Sequence, residues 1–326
     1  MAGLPILAAT AFTEGLDLEF IDTYRQRRLG PESALARSME MDIPSNKRTE
    51  DYFYWENAPL IRRWLAGTKP NFGTFKGVSY SVENLDWKEG VTWLRKDRRD
   101  DLTRQMVTQA RSMAISAALL DEDVFYQVNA ASVDARLLEV IPLAPDGVSL
   151  HNAVDGGGND RFGVSGGNIE TGVGVADAAT IRTGFFSAVS RARQFENTKG
   201  QQLLASNSLE SITVYAPAIH EQVFREAFQQ VRVQGTGAAP TNIVQDAGFN
   251  VNLVLTPKLT GTTWFMYFDN VEPKPIFSQL REAVRSIMVN EDNSQESAEN
   301  GIESLMEEMS KGFGVNVPFG TIQLTA

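Results

Sequence analysis

At 326 residues, 42% of them hydrophobic and 22% charged, the chain has length for one elaborated core or two to three smaller ones, and no apolar run in it reaches the ~18 to 20 residues of a membrane-spanning helix. A formal charge of −11 argues against general nucleic-acid binding, which rests on Lys and Arg neutralising phosphates. The absence of cysteine removes disulfides, thiolate nucleophiles and zinc–thiolate sites together.

The opening segment Gly3 to Phe12 is apolar but follows no Lys or Arg, so it lacks the charged start of a signal peptide, and synthesis in the cytoplasm is expected. Leu16 to about Met41 holds enough Ala, Leu and charge for one helix broken at Gly30-Pro31, without a compact unit, and reads as an arm. Asp42 to Thr68 then crowds Tyr52, Phe53, Tyr54, Trp55, Leu60, Ile61, Trp64 and Leu65 together, a density that means burial in the core or against another subunit.

Phe72 to Lys96 reads as a two-stranded ribbon. Val78, Tyr80 and Val82 alternate with Gly77, Ser79 and Ser81, and Val91 and Trp93 flank Thr92, with turn residues expected over Glu83 to Gly90. A lone hairpin is marginal in water, so it either folds back on its own domain or lies on a neighbour. The mixed-charge run Arg95 to Asp101 leads into a long helix, Asp101 to Val128, in which Leu102, Met106, Ala110, Met113, Ala117, Leu120 and Val124 share a face. At ~1.5 Å per residue it spans roughly 40 Å, the length of a spine.

Arg136 to Pro142 suits a short strand or a helix end, and a glycine-rich loop runs from Ala144 to Val175. Asp177 to Phe195 has helical periodicity, Ser211 to Pro217 reads as a strand, and Ala218 to Val231 as a helix with Ile219, Val223, Phe224, Ala227 and Phe228 inward. Strands follow at Phe249 to Thr256 and Thr263 to Asp269. Arg285 to Lys311 carries seven acidic residues and no basic one between those limits, which suggests a solvated stretch, partly helical from Ser297 onward. Phe313 to Ala326 returns to a strand pattern tied into a sheet. Helices and strands mixed in this order give an α+β class.

No catalytic constellation emerges. The two histidines, His151 and His220, lack a nucleophile and an orienting partner. Asp155 to Asp160 is one copy of a glycine–aspartate motif whose metal-binding relatives work by stacking repeats, so a flexible loop is the reading preferred here. Gly172 to Asp177 has two glycines of a dinucleotide fingerprint but not the third. No cofactor, metal or enzymatic activity is expected.

The ordered motifs resemble those of the major head (capsid) proteins of tailed bacteriophages, and among them the Mu-type major head subunit. The stretch Ile43 to Gly67, with Pro59, Arg62 or Arg63, Trp64 and Gly67, is similar to that family's "P-x-x-R-x-W-x-G" block. The ribbon and charged helix entry, the Ala-rich helix ending in ALLDEDVF, Pro145 to Val154 with Ser149 and His151, Asn197 to Phe228, and KPIFSQLRE follow in the family's order.

The resemblance implies a Hong Kong 97-like major capsid fold: an N-terminal arm and aromatic-rich segment over 1–71, an E loop (β ribbon) over 72–100, a P domain spine helix over 101–135, an A domain over 136–275 with the glycine-rich loop 144–175, and a return to the P domain with the C-terminal strand over 276–326. It implies self-assembly through hexamers and pentamers into an icosahedral head that encloses double-stranded DNA without binding it specifically, as part of the virion. Scaffolding, portal and decoration proteins are the further partners it implies. Inter-subunit contacts are expected from Tyr80, Val82, Trp87, Lys88, Val91, Trp93, Arg95, Arg98 and Arg99, and Lys76 and Lys88 stand where some relatives crosslink. A shell of the same fold around an enzyme cargo, as in encapsulin-like compartments, and a ligand-binding enzyme using the glycine-rich loop are the alternatives.

Overall fold

The structure is a computed structural model that describes residues 9–30, 33–57, 76–100, 105–132, 137–138, 140–229, 244, 247–289 and 294–326. In chain order its elements are α1 (Ala9–Arg27), α2 (Ala34–Ser38), β1 (Met39–Pro44), β2 (Thr49–Asn57), β3 (Lys76–Glu83), β4 (Leu85–Leu94), α3 (Arg95–Asp100) and α4 (Gln105–Ala130). Then come β5 (Ile169–Glu170), α5 (Ala178–Ala192), β6 (Ser211–Pro217), α6 (Glu221–Phe228), β7 (Asn250–Thr256), β8 (Trp264–Phe268), β9 (Ile276–Val289), a short helix Gln295–Asn300, β10 (Ile302–Val315) and β11 (Thr321–Leu324). Among the described residues no helix is long and apolar enough to cross a membrane.

The spine helix α4 buries the expected stripe, Met106, Ala110, Met113, Ala117, Leu120 and Val124, and its last turns, Val124 to Asn129, are buried on every side. Leu102 lies outside the described residues. The N-terminal segment is not a free arm. Leu16 and Phe20 of α1 are fully buried, Leu16 in a cluster with Met106 and Ala110, Phe20 in one with Met113, Ala114 and Ala117. Small residues on α4 let α1 approach closely, which charge composition alone did not reveal.

A four-stranded sheet in the order β1-β9-β10-β4 lies against this helix pair. β1 runs parallel to β9, and β10 pairs antiparallel with both β9 and β4. The acidic run 285–311 is therefore mostly strand, with Glu303, Glu307 and Glu308 buried and not solvated, and its helical part is the short helix Gln295–Asn300. Its apolar partners Leu305, Met309, Phe313 and Val315 alternate along β10 and draw the carboxylates in with them.

The expected pairing of the ribbon also changes. β3 pairs with β2, with Tyr52 opposite Tyr80 and Phe53 opposite Ser79, and the Glu83 to Gly90 stretch is strand instead of a turn. β4 continues from β3 through Asn84 and joins the four-stranded sheet.

The second sheet, β5-β11-β8-β6-β7, is covered on both faces. Ile212, Val214, Ala216, Trp264, Met266 and Phe268 pack under α5 and α6, while Tyr215, Phe265 and Tyr267 face the end of the spine. Burial on both faces is why β6 reads as a nearly continuous apolar run. β7 and β8 are not neighbours, because β6 lies between them. Pro217 is followed by one turn of 3-10 helix before α6, so Ile219 points outward at 80% exposure, against the inward expectation. The described part of the 136–142 stretch, Leu137, Leu138, Val140, Ile141 and Pro142, is neither strand nor helix, and Arg136 lies outside the described residues.

Candidate assembly surface

The ribbon of β2 and β3 is a two-stranded sheet of its own. Alternation sends Tyr52, Tyr80 and Val82 to its inner face and Asp51, Phe53, Ser79 and Ser81 to solvent. On the inner face the rings of Tyr52 and Tyr80 stack at 5.8 Å, Tyr52 meets Phe277 edge-on at 4.8 Å, and its hydroxyl donates to Gln279 Oε1 at 2.7 Å. Gly314 makes this seating possible, since a Cβ there would stand 2.5 Å from Phe277 Cζ and 2.9 Å from Val82 Cγ2. On the outer face Phe53 is 67% exposed.

The root of the ribbon is fixed by hydrogen bonds. Asn84, buried where β3 becomes β4, donates from Nδ2 to Ser45 Oγ and to the Lys47 carbonyl, both at 2.7 Å, and its backbone N–H donates to the Arg48 carbonyl. Glu50 accepts the N–H groups of Asn46 and Lys47, and the Asn46 bond is the first reason its carboxyl titrates below the usual range. Arg48 and Glu83 pair across the base at 2.9 Å. Such a root aims the ribbon in one direction.

The residues expected to meet other subunits are largely engaged within their own chain. Val82 is buried, and Tyr80 half-buried against Tyr52. Trp87 packs edge-on against Phe313 and donates its indole N–H to the Lys311 carbonyl at 3.0 Å. Lys88 pairs with Glu308 at 3.1 Å. Val91 joins Trp93 in one cluster, the Trp93 indole N–H donates to Glu303 Oε2 at 3.0 Å, and Arg95 lies 4.0 Å from the same carboxylate. Arg98 and Arg99 sit on α3, and their side chains, like those of Trp55 and Lys76, lie outside the described residues, as do Leu60, Ile61, Trp64 and Leu65 altogether.

Sequence reasoning missed the other part of this surface. A groove of about 800 Å³ opens beside the β3–β4 junction, lined by Tyr80, Trp87, Leu137, Val140, Leu143 and Phe313 among others. Val140 is 75% exposed there. A stretch without periodicity offers no signal for such an exposed apolar wall.

The glycine-rich loop is pinned, not loose. Arg161, 1% exposed, grips Asp146 with Nε and Nη2 at 2.7 and 2.9 Å and donates from Nη1 to the carbonyls of Ser149 and Leu150. Asn168 donates to the Leu150 and Pro318 carbonyls and accepts from the Asn152 N–H. Gly167 holds φ +53° with no room for a side chain, because a Cβ would lie 2.2 Å from the Asn152 oxygen. His151 is buried on the Phe265 ring, and its Nε2 lies 3.1 Å from Asn129 Oδ1, which also accepts the Tyr267 hydroxyl. Burial, and then Arg161, bring the His151 pKa down to about 3, so the ring is neutral and Nε2–H is the donor.

A cavity of about 410 Å³ beside this loop is lined by Asp155, Asn159, Arg161, Phe162 and Glu196. Asp155 Oδ1 already accepts from the N–H groups of Gly157 and Asn159, and Arg161 is held by Asp146. Among the described residues no group of carboxylates and histidines has metal-binding geometry. The loop's polar groups serve its own shape.

Part of the sequence and the fold as a whole are similar to known proteins. The family of the Mu-like prophage major head subunit gpT matches residues 11–136. Its match ends just past the spine and takes in both ribbon strands. Solved structures with the same fold include the capsid of the cyanophage P-SCSP1u, at TM-score 0.55 and 11% identity over 88% of this chain and 86% of that one. The mature capsid of bacteriophage PhiM1 gives TM-score 0.55 and 11% identity over 91% and 87%. The family match covers the first part of this chain, and the solved structures share its fold.

The chain has the Hong Kong 97-like fold. A virus-like particle from Pyrococcus furiosus shares the fold at TM-score 0.52 and 8% identity, over 96% of this chain and 99% of that one. No curated protein sequence matches this chain.

Proposed function

We propose that this chain is a major capsid protein, in line with the Mu-like major head subunit match and the shared fold, and that it builds its shell through hexamers and pentamers, with the ribbon laid across a neighbouring subunit. The observation that carries this is the ribbon itself: two strands, seated at the root, with Phe53 exposed on the outer face. Two strands alone bury too little to be stable in water, and a second subunit supplies the missing surface. In this reading β2 and β3 with their connection form the E loop, α4 and the four-stranded sheet form the P domain, and the five-stranded sheet with α5 and α6 forms the A domain at the capsomer centre. The 72–100 boundary expected for the E loop moves accordingly, since β4 serves the P domain sheet.

The shell encloses double-stranded DNA without specific contacts, in keeping with a net charge of −11 that would not hold the genome to the wall. Scaffolding, portal and decoration proteins are its further partners in the virion. Electron micrographs of the purified protein under assembly conditions test the reading, with capsomers and closed shells expected. Monomers alone at every concentration would overturn it, and an enzyme cargo in place of DNA inside native particles would favour a compartment shell of the same fold.

A further inference from the structure

Adjacent rungs of one ladder treat charge in opposite ways. Glu308 on β10 faces one side of the four-stranded sheet, where Lys88 of β4 lies 3.1 Å away and Arg285 of β9 also pairs with it. Glu307 faces the other side, and directly opposite it stand Glu89 on β4 and Ser286 on β9. Glu307 is 6% exposed and its Oε2 has no hydrogen-bond partner, whereas Glu89 is open to solvent. Among the described residues no cation pairs with either carboxylate.

The charged and titratable groups around Glu307 do not supply one. Glu89 comes from β4, Tyr24 from α1, Arg28 from the residue just after it, Asp121 from α4, and Lys311 stands four residues along β10. Arg28 pairs with Asp42, and Lys311 is held by Asp42 and Asp121. Burial first and Glu89 second bring the Glu307 pKa up to about 8.

Like charges directly opposite on a ladder are destabilising, and a buried carboxylate without a partner loses its solvation for nothing. Stability of the free subunit would favour a cation at position 89, as Lys88 provides one residue earlier. Glu89 lies on β4, the edge strand of its sheet, so a group from outside the subunit can reach it. We propose that Glu89 and Glu307 form a receptor for one Lys or Arg side chain of a neighbouring copy of this chain, so that the site is completed only in the shell. The proposal rests on the shell reading above. Neighbouring copies in a shell present such a cation at high effective concentration, which a dissolved ion does not match.

The receptor couples assembly to protons. In the free subunit Glu307 keeps its proton near neutrality, and a cation docked at Glu89 favours the ionised form, so assembly releases a proton and strengthens as pH rises toward 8. Over the same range the free subunit itself becomes less stable. The two opposite slopes mark the receptor.

The test measures the critical concentration for shell formation by light scattering at pH 6 and pH 8, alongside urea unfolding of the dispersed subunit, for the wild type, Glu89→Gln, Glu89→Lys and Glu307→Gln. Glu89→Gln is expected to raise the critical concentration about tenfold at pH 8, the scale of one interfacial charge pair. Glu89→Lys satisfies Glu307 within the subunit, so subunit stability rises while assembly is lost, and Glu307→Gln flattens the pH dependence of assembly. Glu89→Lys or Glu89→Gln assembling like the wild type at both pH values overturns the proposal, and the Gln variant decides if the Lys variant does not fold. Stabilisation of the dispersed wild type by millimolar guanidinium or calcium, lost in Glu89→Gln, would assign the pair to a small cation instead. A wild type that forms no shell under any condition removes the shell reading, and the receptor with it.

Discussion

Lys311 and Asp121 meet inside the subunit, the ammonium 2.7 Å from Asp121 Oδ2 and 2.8 Å from Asp42 Oδ1. Three elements distant in sequence, β1, α4 and β10, are joined at this one nitrogen, and Arg28 at the end of α1 closes the set by pairing with Asp42. Burial pulls the Lys311 pKa down and Asp121 pushes it back up. Asp121→Ala leaves a buried ammonium with half its partners and is expected to cost about 3 kcal/mol in urea unfolding. The double change Asp121→Leu with Lys311→Met recovers most of that loss, because two apolar side chains of similar size need no partners.

Arg161 organises the glycine-rich loop in the same manner. Arg161→Met removes the grip on Asp146 and strands the Ser149 and Leu150 carbonyls, with an expected loss of about 3 to 5 kcal/mol and faster amide exchange confined first to residues 146–168. Hydrogen exchange read by mass spectrometry checks both the size and the place of the effect.

Glu307 sets a pH dependence for the free subunit. Its folded pKa of about 8 lies above the ordinary value of 4.5, so the folded state binds the extra proton and stability falls as pH rises from about 4.5 to 8. Glu307→Gln is expected to stabilise the dispersed subunit by on the order of 2 to 4 kcal/mol at pH 9 and to change little at pH 4. Unfolding midpoints across pH 4 to 9 measure it.

Truncating the ribbon separates folding from assembly. Asp51 and Ser81 are paired across β2 and β3, so a short Asn-Gly turn can join them and leave the pinned root, Ser45 to Glu50 and Asn84, in place. The shortened chain loses the Tyr52 contacts to Gln279 and Phe277, so it is expected to stay folded at a cost of about 1 to 3 kcal/mol in urea unfolding and to form no shells in micrographs. Phe53→Ser should weaken assembly by about 1 to 2 kcal/mol per contact, since most of the ring is exposed before assembly, and urea unfolding of the dispersed subunit measures what the change costs within the chain.

Periodicity carried much of the fold. The spacing of Met106 through Val124 located the spine, Asp177 marked the start of α5 by accepting the Thr180 N–H, and Ser211 to Pro217 was legible to the residue as β6. Charge misled where burial was decided elsewhere. The acidic stretch 285–311 reads as solvated, yet alternate apolar residues and partners such as Trp93 and Lys88 draw it into the sheet as β10. Of the residues expected to meet other subunits, Trp87 and Trp93 bond within the subunit, while the exposed Val140 lies in a stretch whose sequence has no period to mark it.

Local sequence determined which segments are helix or strand, because that choice depends on side-chain period, caps and prolines within a few residues. Tertiary structure alone decided which strand pairs with which. Val78, Tyr80 and Val82 fit a partner on either side in sequence, and β2 wins because Tyr52 brings the hydroxyl that Gln279 accepts and the ring that packs on Phe277, contacts some 225 residues away that no local pattern encodes. The same long-range pairing sets Glu307 opposite Glu89, and so decides which carboxylate waits for a partner from outside.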